Sequence, residues 1–251
     1  MASRHLRQFT YSFISSVNAS PSEESVIHFI DALVSYRQLD DLFISSPKRG
    51  MHASFTALEG LLTLPIRKIC LQNIVANNEL NNESLEWLTQ SWPALEWFYC
   101  CNDDTRLTPG LMLPTPELFC HFAQNCPRLT HLYLTIDTAH APVRPPGDAL
   151  PHSNHPLFFH PHASRLARRG DLWRMLAYLL EIYPRLALHQ SDDLAFSDPD
   201  TVEILNEVNS WIPDILARQA AGTPHGYWDA GVAERERRRW GLRPAPSGIQ
   251  G

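Results

Sequence analysis

This sequence lacks the usual marks of an enzyme. It has no phosphate-binding Gly loop, no Gly-x-Ser-x-Gly, no His-Glu-x-x-His and no Cys-x-x-Cys. Glycine is scarce, with 11 residues in 251, against 20 prolines. That much proline enforces many breaks in regular structure. No stretch approaches the roughly 18 consecutive apolar residues of a membrane helix. The most apolar stretch, Leu172 to Tyr183, is cut by Arg174 and Glu181. No sign of charge dominates: Lys plus Arg is 21, Asp plus Glu is 27, and the net charge is −6. A mildly acidic chain is a poor general binder of nucleic acid or anionic membrane, so neither is expected as a partner. The five cysteines are odd in number and not spaced as a disulfide framework, which favours a reducing compartment. Arg4 and Arg7 imitate the start of a signal peptide. The stretch after them, Phe9 to Val17, is too polar for its apolar region. A cytoplasmic or nuclear protein is expected.

What remains is enough for one sizeable core. The chain is 44% hydrophobic and 19% charged, which fits one domain or two small ones. Its main feature is a repeat. The pattern Leu-x-x-Leu-x-Leu, with other apolar residues allowed, occurs at Leu6, Phe9 and Tyr11. It returns at Leu39, Leu42 and Ile44, then at Ile66, Ile69 and Leu71, then at Leu95, Phe98 and Cys100, and again at Leu129, Leu132 and Leu134. The spacings scatter around the leucine-rich-repeat period of roughly 20–29 residues, extended by insertions. A degenerate copy begins at Leu186. The gap before it spans about two periods, so one repeat between is expected to be disrupted.

Helix-like segments precede the copies. Ser22 to Ser35 places Val26, Ile27, Ile30, Leu33 and Val34 on one face, with Ser22 as the cap. Asn82 is placed to cap a helix burying Leu85 and Leu88. Thr115-Pro116-Glu117 opens another, with Leu118, Phe119 and Phe122 buried. Trp92-Pro93, Cys126-Pro127 and Tyr183-Pro184 stop the helices, because proline disfavours the helical conformation of the residue before it. The unit is helix, proline stop, short strand, loop. Stacked units give an α/β fold: a leucine-rich-repeat solenoid, with short parallel strands on the concave side, helices on the convex side and an irregular C-terminal part. Its expected divisions are a solenoid over 1–138, a Pro/His-rich disrupted repeat or loop over 139–170, a C-terminal repeat and helical cap over 171–217, and a charged tail over 218–251. Asp198-Pro199 opens a helix through Val202, Leu205, Val208, Trp211 and Ile212 that Pro213 bends or ends. Between Glu234 and Arg243 five Arg and two Glu make a local charge of +3. That segment reads as a solvated helix end or as a patch for nuclear import or an acidic partner.

Trp92-Pro93-Ala94-Leu95-Glu96 and Cys126-Pro127-Arg128-Leu129-Thr130-His131-Leu132 resemble the repeats of leucine-rich-repeat F-box proteins of basidiomycete fungi. Thr115-Pro116 resembles the step that opens the intervening helix, and the run from Leu176 to Leu186 resembles the family's last helix and strand. The resemblance covers about residues 1–190. It implies the substrate-recognition part of a cullin-based ubiquitin-ligase subunit. The first repeat strand begins almost at Met1, so no residue matches an F-box. A Skp-type adaptor is a partner only if a missing N-terminal F-box exists.

Strand alternation gives the candidate site. The middle ladder on the concave face is Thr10, Phe43, Cys70, Tyr99 and Tyr133. The preceding one is Gln8, Asp41, Lys68, Trp97 and His131, and the following one Ser12, Ser45, Gln72, Cys101 and Thr135. Phe43, Trp97, Tyr99, His131 and Tyr133 are the expected partner-binding residues, since exposed aromatic surface marks interaction sites. The other reading is that the chain's own C-terminal segment covers them. The partner is an unidentified protein. No catalytic residue, metal ligand or cofactor is expected. The runner-up is a metal-binding hydrolase using His152, His155, His160 and His162, against a plain polar His/Pro loop. Asp103-Asp104 and Asp192-Asp193 read as solvated loop pairs. The cysteines read as packing residues, Cys100 in the core and Cys101 at the surface.

Overall fold

The computed structural model describes residues 6–12, 23–46, 53–75, 79–101, 113–138, 142, 149–161, 169–188 and 199–221. Ser22, the two Asp-Asp pairs, His162 and the Arg-rich tail lie outside the described residues. Among the described residues, seven strands run in chain order: β1 Gln8–Ser12, β2 Asp41–Ser45, β3 Lys68–Gln72, β4 Trp97–Cys101, β5 His131–Leu134, β6 Leu157–His160 and β7 Leu186–Leu188. They form one sheet in the order β1-β2-β3-β4-β5-β6-β7, and every pair is parallel. Parallel neighbours need a crossover. Four crossovers hold an α-helix: α1 Glu23–Val34, α2 Asn82–Ser91, α3 Leu118–Asn125 and α4 Arg169–Ile182. A 3₁₀ helix at Thr56–Thr63 lies between β2 and β3, no helix among the described residues lies between β5 and β6, and α5 Pro199–Ala220 follows β7. No helix among the described residues is long and apolar enough to cross a membrane.

The register follows the repeat. Phe9, Leu42, Ile69, Phe98 and Leu132 stand on one rung, and Phe159 and Leu188 continue it. This row points at the helices: Phe98 meets Phe122 of α3 at 5.9 Å, and Phe159 meets Phe119 at 4.9 Å. Leu42, Ile69, Phe98, Leu132 and Phe159 are buried, in one continuous core with Leu85, Leu88, Leu118 and Phe122. Leu188, not His189, is level with Leu132 through Phe159, so the last copy is one residue out of frame with a start at Leu186.

Proline stops behave as the sequence indicates. α2 ends at Ser91 and α3 at Asn125, and Trp92 and Cys126 are their C-caps. Both side chains are buried and tie successive units together. The Trp92 indole donates to the Leu61 carbonyl at 3.2 Å, and the Cys126 thiol to the Trp92 carbonyl at 3.5 Å. The cap of α2 is Asn81 rather than Asn82. Asn81 accepts from the Ser84 N–H at 3.0 Å while its own N–H donates to Ser84 Oγ at 3.1 Å, a reciprocal box. Asn82 bridges to the next unit instead. Its amide donates to Thr115 Oγ1 at 2.7 Å and accepts from the Thr115 N–H at 2.8 Å.

Residues just before the strands make a second ladder. The Arg7, Asp40, Arg67 and Glu96 carbonyls each accept two N–H groups from the next strand's start. Their side chains alternate in sign. Arg67 donates to Glu96 in a bidentate pair at 2.7 and 2.9 Å and stands 3.8 Å from Asp40. Such partly exposed pairs add little stability. They do penalise a shifted register.

Within 139–170, expected as a Pro/His-rich disrupted repeat or loop, the structure holds one further strand. Leu157 to His160 is a strand paired on both sides. Pro156 and Pro161 bracket it without interrupting it. Proline at a strand end leaves the internal ladder bonds intact. At the far end of the sheet, α5 continues through Pro213 and buries Val208, Trp211 and Ile215. Asn209 seals the edge of β7: it accepts from the Leu188 N–H at 3.2 Å and donates to the Leu188 carbonyl at 2.9 Å. The side chains of Val202 and Leu205 lie outside the described residues.

Candidate functional site

Opposite the helices, alternate positions of each strand stand in rows. Gln8, Asp41, Lys68, Trp97, His131, Phe158 and Ala187 share one row. Thr10, Phe43, Cys70, Tyr99, Tyr133 and His160 share the next. Ser12, Ser45, Gln72 and Cys101 make the third, with the two serine hydroxyls 2.9 Å apart. Thr135 lies beyond the end of β5.

The rings on these rows touch. Trp97 and Tyr99 stack at 5.9 Å, Trp97 and Tyr133 meet at 5.6 Å, and Tyr99 and Tyr133 at 5.2 Å. His131 stacks on Phe158 at 5.0 Å, and Tyr133 on His160 at 5.3 Å. Trp97, Tyr99, Tyr133 and His160 therefore form one ring cluster, and His131 with Phe158 a stacked pair on the same face of β4, β5 and β6. Trp97, Tyr99, His131 and Tyr133 are half-buried, and Phe158 is 36% exposed. Phe43, also half-buried, is separated from Tyr99 by the short Cys70 side chain. The structure thus brings Trp97, Tyr99, His131 and Tyr133 together and leaves Phe43 two strands away. It adds Phe158 and His160, which the sequence reading missed along with β6. Their signal was the short apolar run Leu157-Phe158-Phe159 between Pro156 and Pro161.

His131 Nδ1 pairs with Thr130 Oγ1 at 2.9 Å, and that hydroxyl also reaches the Glu96 carbonyl at 3.0 Å, fixing the imidazole at the start of β5. Asp41 and Lys68 occupy the same row as Trp97 on the two preceding strands.

Other candidates for chemistry do not converge. His160 is buried on β6, while His152 and His155 are exposed before it, with His152 Nδ1 3.3 Å from the Glu181 carbonyl. Among the described residues no group of three or more His, Cys, Asp or Glu is placed to hold a metal ion. All five thiols are free. Burial pushes those of Cys70 and Cys126 up to about 12 and raises that of Cys100 further, so none is a ready nucleophile. Cys120 is half-buried against the Tyr178 hydroxyl at 3.0 Å, and desolvation raises its thiol too. Cys101 is buried like Cys100, not a surface residue as alternation suggested. A short side chain on a crowded face is shielded by its taller neighbours, as Cys70 is between Phe43 and Tyr99. An apolar cavity lined by Phe55, Leu58, Leu61, Leu88, Trp92 and Phe98 offers neither acid nor base.

No protein-family model, curated protein or solved structure matches the chain.

Proposed function

We propose that this chain is a leucine-rich-repeat solenoid that acts as a non-catalytic protein-recognition module, with the aromatic face as its contact surface. The observation that carries this reading is the set of six rings on the side of the sheet turned away from the helices, five of them at least partly exposed. Tryptophan and tyrosine are favoured anchors at interfaces, because they bury much area for little conformational entropy. The parallel sheet in chain order and the unit-to-unit bonds of Trp92, Cys126 and Asn82 support the solenoid. The resemblance of Trp92–Glu96 and Cys126–Leu132 to F-box-protein repeats adds a setting, the selection of a protein substrate for a ubiquitin ligase.

The test compares partner capture by the wild-type chain with two variants. Phe158→Ser removes the most exposed ring, and Tyr99→Ser with Tyr133→Ser removes the centre of the surface. Large aromatic anchors commonly carry more than about 2 kcal/mol each at an interface. A partner held by wild type should therefore be lost from both. A partner retained by both variants would place recognition elsewhere on the chain.

A further inference from the structure

The two ends of the sheet are finished differently. β7 is sealed by Asn209, whose amide serves both the N–H and the carbonyl of Leu188. β1 carries no such seal among the described residues: Gln8, Thr10, Tyr11 and Ser12 are exposed, Tyr11 to 38%. We propose that β1 is a self-association edge, at which two copies of this chain pair their Gln8–Ser12 strands antiparallel about a two-fold axis through Thr10.

The backbone sets the register. The Arg7 carbonyl accepts the Asp40 and Asp41 N–H groups, so it faces β2. Alternation along a strand then turns Phe9 and Tyr11 toward β2 as well, and turns the N–H and carbonyl of Gln8, Thr10 and Ser12 outward. An antiparallel pair about Thr10 matches these outward groups one to one: Thr10 with its own copy, Gln8 with Ser12 of the second copy. Each outward residue donates one bond and accepts one. Moving the register by two residues shortens the overlap and leaves outward groups unmatched.

The side chains fit the same axis. Phe9 falls opposite Tyr11 of the second copy, on the face where Phe9, Tyr11 and Phe29 already cluster at 4.7 to 6.3 Å. Cross-strand aromatic pairs favour pairing, and like charges opposite each other oppose it. Gln-Phe-Thr-Tyr-Ser contains neither a charge nor a proline, the two features that ordinarily keep an edge strand single. β2 and β3, by contrast, begin with Asp41 and Lys68. A two-fold contact uses one edge twice and closes, so the product is a dimer and not a fibre.

The full-length chain with Thr10→Cys tests the geometry. Hydrogen-bonded antiparallel residues have Cα atoms about 5.5 Å apart, within disulfide range. Mild oxidation of the native protein should give a covalent dimer, and Ser35→Cys, on exposed residue 35 after α1, should not. Sedimentation over a dilution series then tests the charge rule. Gln8→Lys with Ser12→Lys sets like charges opposite at both ends and should weaken association about ten-fold or more. Gln8→Glu with Ser12→Lys sets opposite charges there and should restore it. Circular dichroism shows that each variant is folded. A wild-type chain that stays monomeric throughout would overturn the proposal, because its edge is then covered by another segment or left single. Equal association of the two charge variants would overturn it too, by placing the dimer on another surface.

Discussion

Replacing Asn209 with alanine isolates one side chain that stands in for a neighbouring strand. Asn209 Oδ1 accepts from the Leu188 N–H at 3.2 Å and its Nδ2 donates to the Leu188 carbonyl at 2.9 Å. Each neutral bond of this kind contributes a net 0.5–1.5 kcal/mol, so losing both should cost about 1–3 kcal/mol. The Cβ is kept and the packing of Val208, Trp211 and Ile215 is untouched, so no cavity is added to that figure. For a chain of this size the thermal midpoint should fall by about 2–12 °C. Urea unfolding gives the free energy, and hydrogen exchange gives the location. Protection should fall at Leu186–Leu188 and in α5 before it falls in β1, β2 or β3, because stacked units depend on their nearest neighbours. Ser210→Ala is the control: its hydroxyl is exposed and bonds only within its own helix turn, to the Glu207 carbonyl at 2.6 Å. Asn209→Ala and Ser210→Ala differing by less than about 0.5 kcal/mol would refute the reasoning. So would protection lost first at β1.

Leu132, fully buried on β5 between Phe98 and Phe159, should cost about 2–5 kcal/mol as Leu132→Ala, and exchange should speed up in β4 and β6 before β1. In the native protein a thiol reagent should modify Cys120 well before the buried Cys70, Cys100, Cys101 and Cys126, and all five should react once the chain is unfolded. The Glu23 carboxylate accepts from the Ser54 hydroxyl and N–H, and these bonds hold its pKa below the usual range. Its contribution to stability is present above the unfolded-state pKa and is lost as pH falls through the folded one. Glu23→Gln should therefore flatten part of the acid limb of a stability–pH profile, and an unchanged limb would count against these bonds.

The register of the first five strands could be read from the chain because each copy repeats one physical instruction. Apolar residues alternate toward the helices, and for the later copies a proline fixes where the helix stops. Phe9, Leu42, Ile69, Phe98 and Leu132 share a rung for that reason. β6 hid behind the same rule. At the places held by Leu129, Leu132 and Leu134 it has Pro156, Phe159 and Pro161. Two prolines read as a break, although both fall outside the ladder. Missing that strand removed Phe158 and His160 from the expected site. The cap at Asn81 was misread by one residue because Asn81 and Asn82 are equivalent locally. Only the next unit, through Thr115, assigns them different partners. The Asn209 clamp joins residues 21 apart in sequence, across a helix and a strand edge, and no local pattern encodes it.

The aromatic face joins stability to recognition, and that decides how its variants are to be read. Tyr99→Ser with Tyr133→Ser removes the contacts Trp97–Tyr99, Trp97–Tyr133, Tyr99–Tyr133 and Tyr133–His160 together. Aromatic pairs are worth about 0.5–1.5 kcal/mol each beyond their buried area, so the double variant loses stability even if the face binds a partner. Phe158 stacks on His131 and is the most exposed of the six rings, so Phe158→Ser forfeits about one such pair. A face that only supports the fold makes the two variants differ in melting temperature and agree in partner capture. A face that recognises a partner makes Phe158→Ser lose capture with a smaller fall in melting temperature than the tyrosine pair. The ratio of binding loss to stability loss at Phe158 therefore separates the two roles, where the tyrosine pair alone would confound them.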